Sequence, residues 1–453
     1  MKPAPRAPKT AKQPRARPAS AGPTDPAADA LAKFSPARAA AFEILTRVAE
    51  NKGHSDELLH SSRTSALTPE DRNLATALVM GVLRWQIALD ARLAKLLTRP
   101  GQRLAEPVAL ALRLGAFQLL HMDRIPAHAV LNESVELCRA AGHPHAAGMV
   151  NAILRKLAAA QKPGARIFES PAAFAERLGH PLWLVERWVT AYGREAALAI
   201  CEYGQHEPHS GTLFLLTVPA LAEALPQIDD GSRLVAELAA AALPLTASRT
   251  PRIWDCCAAP GGKTLLLALR LPTAEILATD VSAKRLALTT ARLRQYPYAA
   301  RVRTEVVDAS TPTAGPVFDL ILCDVPCSGT GTLARNPEIR HRLRPEDLAR
   351  HATRQSALLT GAARRLAPGG RIVYSTCSLE PEENEQLVQA VAAATGLHRL
   401  PIEPLLANLV GAGILAQNVA TTLAASAIKA DALRTLPGVH PCDGFYVAVL
   451  QRN

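Results

Sequence analysis

Rings and sulfur are scarce in this 453-residue chain: aromatic residues make up 4%, with four methionines and eight cysteines. So few rings exclude an extended platform on which successive bases stack. The cysteines (Cys138, Cys201, Cys256, Cys257, Cys323, Cys327, Cys377 and Cys442) contain no CxxC pair. That excludes a secreted disulfide framework and a zinc site, so reduced thiols and no metal are expected. No run reaches the roughly 18 uninterrupted apolar residues of a spanning helix, and the N-terminus lacks the apolar core of a signal peptide. A soluble, cytoplasmic protein with no membrane partner is the expectation. Acid is in deficit as well: 40 Asp and Glu face 51 Lys and Arg, a net charge of +11. This balance favours a polyanionic partner without saying which.

What is present is ample apolar material, 48% of residues against 20% charged, enough for about three folding units by length. Residues 1–33 stand apart as a basic, proline-rich tail; the first 30 carry six basic residues, two acids and seven prolines. With no apolar periodicity this tail is expected to be disordered, either a solubilising leader or a salt-sensitive arm on RNA. From residue 34 to 162 apolar residues recur at helical spacing, as in Ala40, Ile44, Leu45 and Val48, then Leu74, Leu78, Val79 and Val82. Thr68-Pro69-Glu70-Asp71 supplies an N-cap, a proline at the first helical position and acids in the first turn. The pattern predicts an all-α bundle with further helices over 104–121, 129–141 and 145–160. Residues 163–250 read as a mostly helical connector with one short strand over 213–218.

After Arg252 the pattern changes to short apolar runs, each ending in an acid or a glycine turn and followed by a helical stretch. The runs are 253–257, 276–280, 302–308, 320–324 and 371–377; helices are predicted near 262–270, 282–295, 345–366 and 381–395, with a last strand over 445–450. Strands alternating with helices predict a parallel α/β sheet covered on both faces, and such sheets bind ligands at the carboxyl ends of their strands.

Candidate site residues fall at those ends. Cys257-Ala258-Ala259-Pro260-Gly261-Gly262-Lys263-Thr264 is a turn of small residues leading into a helix N-terminus. Gly262-Lys263-Thr264 matches the end of a phosphate-binding P-loop, but the first glycine of that motif would fall at Cys257, and Pro260 lacks an N–H to cradle phosphate. Asp280 follows about twenty residues later, where an acid accepts from a ribose diol, and Asp308 closes the third run. Either acid alone can be an ordinary helix cap; with the turn they form a nucleoside-cofactor site. The missing G-x-G-x-x-G argues for a ligand smaller than a dinucleotide. Asp324-Val325-Pro326-Cys327 closes the fourth run and Ser375-Thr376-Cys377-Ser378 the fifth. Cys138, Cys201, Cys256 and Cys323 read as small core hydrophobes, whereas Cys327 and Cys377 lie at strand ends beside hydroxyls. Two thiols and an acid beside an adenosine cofactor suit methylation of cytosine carbon 5. That carbon is a poor nucleophile until a thiolate adds to carbon 6, an acid interacts with ring nitrogen 3, and a base later removes the carbon 5 proton.

At these residues the sequence resembles the S-adenosylmethionine-dependent RNA 5-methylcytosine methyltransferases. The matching motifs are Cys257–Lys263, Asp280, Asp308, Asp324 with PCSGTG (326–331), and TCS (376–378) followed by Pro381-Glu382-Glu383-Asn384. The resemblance implies a Rossmann-like catalytic domain over 251–453 with S-adenosyl-L-methionine as cofactor. It implies Cys377 as nucleophile, Cys327 assisting product release and Asp324 at both target base and cofactor. It further implies cofactor contacts from Cys257, Ala258, Ala259, Pro260, Gly261, Gly262, Lys263, Asp280, Asp308 and Asp324. In the helical half, AVLNESVEL (129–137) and VNAILRKL (150–157) resemble the RNA-binding fold of the antitermination factor NusB. The fusion of the two resembles the ribosomal RNA small subunit methyltransferase B subfamily, over roughly 36–453.

The implied function is methyl transfer to carbon 5 of a cytosine in small-subunit (16S) ribosomal RNA through a cysteine–C6 adduct. A different RNA such as tRNA, a catalytically silent RNA-binding or assembly factor, and a P-loop NTPase are the alternatives. Relatives carry a small α/β RNA-binding element before the cofactor turn; only about 45 residues separate His206 from Pro251 here, so a shortened element is expected. Arg335, Arg340, Arg342 and Arg344 follow the Cys327 turn and are expected to contact phosphate. The target cytosine must be unpaired or flipped out to reach Cys377. A monomer is expected.

Overall fold

The computed structural model describes residues 34–99, 101–160, 169–207, 214, 225–244, 250–311 and 315–452. The expected tail, most of the expected 213–218 strand and about half of the stretch expected to hold the shortened element lie outside these residues. Phe214, which is described, makes an isolated antiparallel bridge with Leu415.

The N-terminal half is a helical bundle whose main helices are Pro36–Ala49, Pro69–Ala94, Glu106–His121, Ala127–Ala140 and Ala147–Ala159. Thr68 caps the longest of these, its Oγ1 accepting from the Asp71 N–H at 3.1 Å, with Pro69 at the first position. Phe42, Leu45, Leu78, Val82, Leu112, Phe117 and Leu154 form one core. The Pro69–Ala94 and Glu106–His121 helices touch where a Cβ on Gly81 would stand 2.0 Å from the Phe117 ring, so only glycine fits. Pro69–Ala94 is long and apolar enough to cross a membrane, but half of its apolar window is buried inside the protein.

The C-terminal half is a nine-stranded sheet: β1 (Arg252–Asp255), β2 (Glu275–Asp280), β3 (Val302–Val306), β4 (Phe318–Asp324), β5 (Leu366–Thr376), β6 (His398–Leu400), β7 (Ile428–Lys429), β8 (Ala432–Arg434) and β9 (Tyr446–Gln451). The order is β3-β2-β1-β4-β5-β9-β8-β7, with β6 also on β9. The first five strands are parallel, as expected, and β9 returns antiparallel to β5. Period-2 alternation sends Ile253, Leu320, Leu322, Val373, Val447 and Val449 into one core and Trp254, Ile321, Cys323, Ile372, Tyr374 and Ala448 into the other. Three calls shift. The strand expected at 371–377 spans Leu366–Thr376: Leu366 pairs with Phe318 ahead of a register shift, and Gly369 takes φ +68° before the regular pairing resumes at Arg371. The first strand ends at Asp255, not 257, leaving Cys256 and Cys257 in the turn. The helix expected over 381–395 divides into a 3-10 turn, Pro381–Glu383, and a helix, Glu385–Thr395.

Between the halves lie helices Pro171–Arg177, Leu182–Tyr192 and Arg194–Tyr203. Their apolar faces (Phe174, Leu184, Trp188, Ile200) share one core with Leu333, Leu343 and Leu379, residues that follow the two thiol-bearing turns.

The arginines after Cys327 correct the expected phosphate contacts. Arg340 is 2% exposed and donates to the carbonyls of Arg84 at 2.7 Å and Gly204 at 2.5 Å. Burial, with Arg84 nearby, pushes it down to about 9. Arg342 donates to the Gly53 carbonyl at 2.6 Å, and Arg335 pairs with Asp443 at 2.5 Å. Arg344 alone of the four lies exposed, ahead of the Pro345–Arg364 helix. This segment docks the catalytic half on the helical bundle. Glu338, buried beside it, accepts from the Ser55 N–H at 3.0 Å and contacts His54 Nδ1 at 2.9 Å. Glu338→Ala leaves that N–H without its acceptor and is expected to cost about 1–3 kcal/mol, read as a lower Tm and faster proteolysis between the halves.

Candidate active site

The C-terminal ends of β1, β2, β4 and β5 open onto one edge, and the sequence-identified residues gather there. The turn after β1 is tied to the sheet by the Ala258 N–H, which donates to the Thr279 carbonyl at 2.8 Å, and Gly261 reaches φ +92° as it caps the Gly262–Arg270 helix. A cleft beside this turn is lined by Cys257, Ala259, Asp280, Asp308, Asp324 and Pro326, among others. Asp280 is 4% exposed; its Oδ1 accepts from the Ser282 N–H at 2.8 Å and its Oδ2 lies 3.6 Å from Arg285. Arg285, which the sequence reading did not single out, also donates to the Ala259 carbonyl at 2.9 Å. Asp308 is exposed and accepts from both Ser310 N–H and Oγ, which hold its carboxyl below the usual range. The Cys257 thiol is pushed well up by its contact with Cys256 and by burial.

Pro260, Gly261, Gly262 and Lys263 form the far side of the turn. Lys263 turns inward: its Nζ lies 2.7 Å from Asp324 Oδ2 and 5.7 Å from the centre of the Phe445 ring. Burial opposes the charge on this ammonium, but the Asp324 carboxylate outweighs it and raises Lys263. This ion pair ties the turn after β1 to the end of β4. Asp324 Oδ1 accepts from Ser375 Oγ at 2.7 Å, so both carboxylate oxygens are held.

Cys327 and Cys377, fifty residues apart in sequence, come together with their sulfurs 3.3 Å apart and both half-buried. The contact with Cys377 and burial hold the Cys327 thiol in its neutral form, well above the usual range. What joins their turns is Glu383, 0% exposed and given no role from sequence. Its Oε1 accepts from the Ser328 N–H at 2.9 Å and Gln355 Nε2 at 2.8 Å, and its Oε2 from Ser328 Oγ at 2.5 Å and from Ser378 Oγ. The Gly331 N–H donates to the Cys377 carbonyl at 2.9 Å. A Cβ on Gly331 would stand 2.2 Å from the Gly444 carbonyl oxygen, so this crossing admits only glycine. The signal was there in Pro381-Glu382-Glu383-Asn384, but the charge alone does not reveal a buried carboxylate bridging two loops.

Asp255, at the end of β1, is a second buried acid outside the sequence reading. It accepts from Thr264 Oγ1 at 2.6 Å, yet burial pushes it up to about 7, with Asp324 nearby adding to the rise. The folded protein therefore binds a proton that the unfolded chain has released between about pH 4 and 7, so stability falls as pH rises through that window. Asp255→Asn is expected to flatten this slope, which Tm measured against pH for both proteins checks.

Residues 242–451 match the family described as 16S rRNA methyltransferase RsmB/F, and residues 35–159 match the NusB family. The ribosomal RNA small subunit methyltransferase B of Xanthomonas campestris pv. campestris is 30% identical over 466 residues, covering 94% of this chain and 99% of that protein. The probable ribosomal RNA small subunit methyltransferase B of Bacillus subtilis is 31% identical over 404 residues, covering 79% of this chain and 88% of that one. The solved structure titled PH0851 superposes with a TM-score of 0.66 at 19% identity, covering 95% of this chain and 99% of that one, which shows a shared fold. With a NusB domain joined to an S-adenosylmethionine-dependent methyltransferase domain, and relatives at this identity over nearly its whole length, the chain belongs to the ribosomal RNA small subunit methyltransferase B family.

Proposed function

We propose that this protein transfers a methyl group from S-adenosyl-L-methionine to carbon 5 of a cytosine in small-subunit ribosomal RNA, with Cys377 as covalent nucleophile. The observation that carries this reading is the pair of thiols at 3.3 Å beside the Lys263–Asp324 ion pair. The family and its relatives' names support ribosomal RNA as substrate.

The cleft suits the cofactor. The buried Asp280 carboxylate is an acceptor for a ribose diol, Asp308 is available at the next strand end, and Val281, Val307 and Pro326 supply an apolar wall for a ring. When bound there, S-adenosyl-L-methionine supplies the electrophilic methyl group that carbon 5 takes. The chain's own residues do the rest. Lys263 and Asp324 together present a donor and an acceptor, the complement of a cytosine's ring nitrogen 3 and 4-amino group. As the Cys377 sulfur bonds to carbon 6, negative charge spreads to nitrogen 3 and oxygen 2, and the ammonium stabilises it in a site already dry enough to strengthen the attraction. Carbon 5 becomes enamine-like. Once carbon 5 carries its methyl, a base takes the carbon 5 proton, the C–H electron pair re-forms the 5,6 double bond, and the S–C6 bond breaks to release Cys377 as a thiolate. Cys327 is the group placed to assist that release.

The test is an RNA in which the target carries fluorine at carbon 5. Fluorine cannot leave as a cation, so the adduct cannot resolve and a stable protein–RNA complex forms. Peptide mapping is expected to find the RNA on Cys377; methyl transfer without any complex would overturn the covalent reading.

A further inference from the structure

We propose, resting on the reading of Cys377 as nucleophile, that Arg187 and Trp188 of the connector helix Leu182–Tyr192 are positioning residues for that thiol. The helix lies outside the catalytic domain in sequence, yet it grips the segment that follows Cys377. Arg187 Nε donates to Glu380 Oε2 at 2.6 Å, and its Nη2 to the two oxygens of Glu382 at 2.8 and 2.6 Å. Trp188 Nε1 donates to Glu380 Oε1 at 3.1 Å, and the Tyr192 hydroxyl donates to the Leu379 carbonyl. Glu380 and Trp188 are 0% and 1% exposed.

The grip reaches the thiol through a short run of fixed backbone. The Glu380 N–H donates to Ser378 Oγ at 3.0 Å, the Ser378 N–H to Thr376 Oγ1 at 3.1 Å, and Leu379 N–H to Thr330 Oγ1 at 2.9 Å, so the residues on both sides of Cys377 move as a unit with Glu380. Two other uses of Arg187 fit the geometry less well. Its Nε and Nη2 are committed to two carboxylates, and the surrounding Glu186, Glu380 and Glu382 repel an RNA phosphate. As a device for stability, a buried ion pair is inefficient, since apolar residues of similar size do as well; what a forked arginine adds is a single allowed geometry. A nucleophile that must meet carbon 6 within a fraction of an ångström needs that geometry.

The experiment compares the full-length wild type with Arg187→Met, Arg187→Lys and Trp188→Phe. It measures kcat, KM for RNA, KM for the cofactor, and the rate of covalent capture by the fluorinated RNA. Arg187→Met is expected to lower kcat and the capture rate together by about ten-fold or more, with both KM values within two-fold of wild type. Trp188→Phe, which removes the N–H along with part of the buried ring, should slow capture by a smaller factor, and Arg187→Lys should recover part of the loss. Wild-type kcat in a folded Arg187→Met protein overturns the proposal, as does a raised KM for RNA at unchanged kcat, which would make Arg187 an RNA contact. Should Arg187→Met not fold, Trp188→Phe decides: capture at the wild-type rate overturns the proposal. A wild type that neither methylates nor is captured overturns the functional reading instead.

Discussion

Replacing Cys377 with alanine is expected to abolish methyl transfer, by roughly 10⁴-fold or more as for other catalytic nucleophiles, and to leave no covalent RNA complex. Cys327→Ala is expected to abolish turnover as well, but with the opposite signature: attack proceeds and the protein–RNA adduct accumulates. The two sulfurs are equivalent by distance, 3.3 Å from each other, so the assignment rests on their surroundings. Cys327 is kept neutral by Cys377 and by burial, which suits a group that acts late, and Cys377 sits directly beyond β5, next to Ser375 and the Asp324 carboxylate it holds. Denaturing electrophoresis of each variant with unmodified RNA separates the outcomes. An adduct on Cys377→Ala, or wild-type turnover by it, exchanges the two roles or removes the covalent step.

Glu383→Ala should come next in size. Four donors on three residues lose Glu383: the Ser328 N–H, the hydroxyls of Ser328 and Ser378, which keep only each other at 2.9 Å, and the Gln355 amide, which keeps the Pro326 carbonyl at 3.0 Å. Each buried, unpaired donor costs about 1–3 kcal/mol, although repacking recovers part of the sum. The larger effect is on the relation between the two thiol turns, since a displacement of about 1 Å at a reacting centre is enough for a 100-fold loss. Glu383→Ala is thus expected to lower kcat by about 100-fold and Tm measurably, while cofactor affinity, which the proposed site places on the Asp280 side of the cleft, is expected to hold. Glu383→Gln, which keeps one acceptor oxygen, should fall between. Calorimetric cofactor titration alongside single-turnover rates checks the split; a wild-type rate in Glu383→Ala would show that the bridge does not place the thiols.

The parallel sheet was legible because strands β2 and β4 are apolar runs closed by an acid, and the bundle because its apolar residues keep helical spacing. The site was legible for the same reason: a strand end is where both the hydrophobic run and the chemistry change. Strands β6, β7 and β8 span two or three residues each, too few for any alternation to declare itself. β6 and β8 form along β9, and β7 along β8. The arginines from Arg335 to Arg342 misled because charge in a loop reads as solvent-facing, while here the Asp443 carboxylate takes Arg335, and backbone carbonyls of the bundle and the connector take Arg340 and Arg342. Lys263 was ambiguous on similar grounds. Its partner, Asp324, is sixty-one residues away, and no local pattern encodes a contact made by neighbouring strand ends. Arg187 and Glu383 share this blindness, since each acts through a fold-level crossing rather than a motif.

The most direct test is transfer of labelled methyl from S-adenosyl-L-methionine to unmodified small-subunit ribosomal RNA, followed by nucleoside analysis. The account predicts label in 5-methylcytidine at a defined position. Label in another nucleoside would contradict the carbon 5 chemistry, label on transfer RNA alone would contradict the substrate, and no label on either would leave an RNA-binding factor in place of an enzyme.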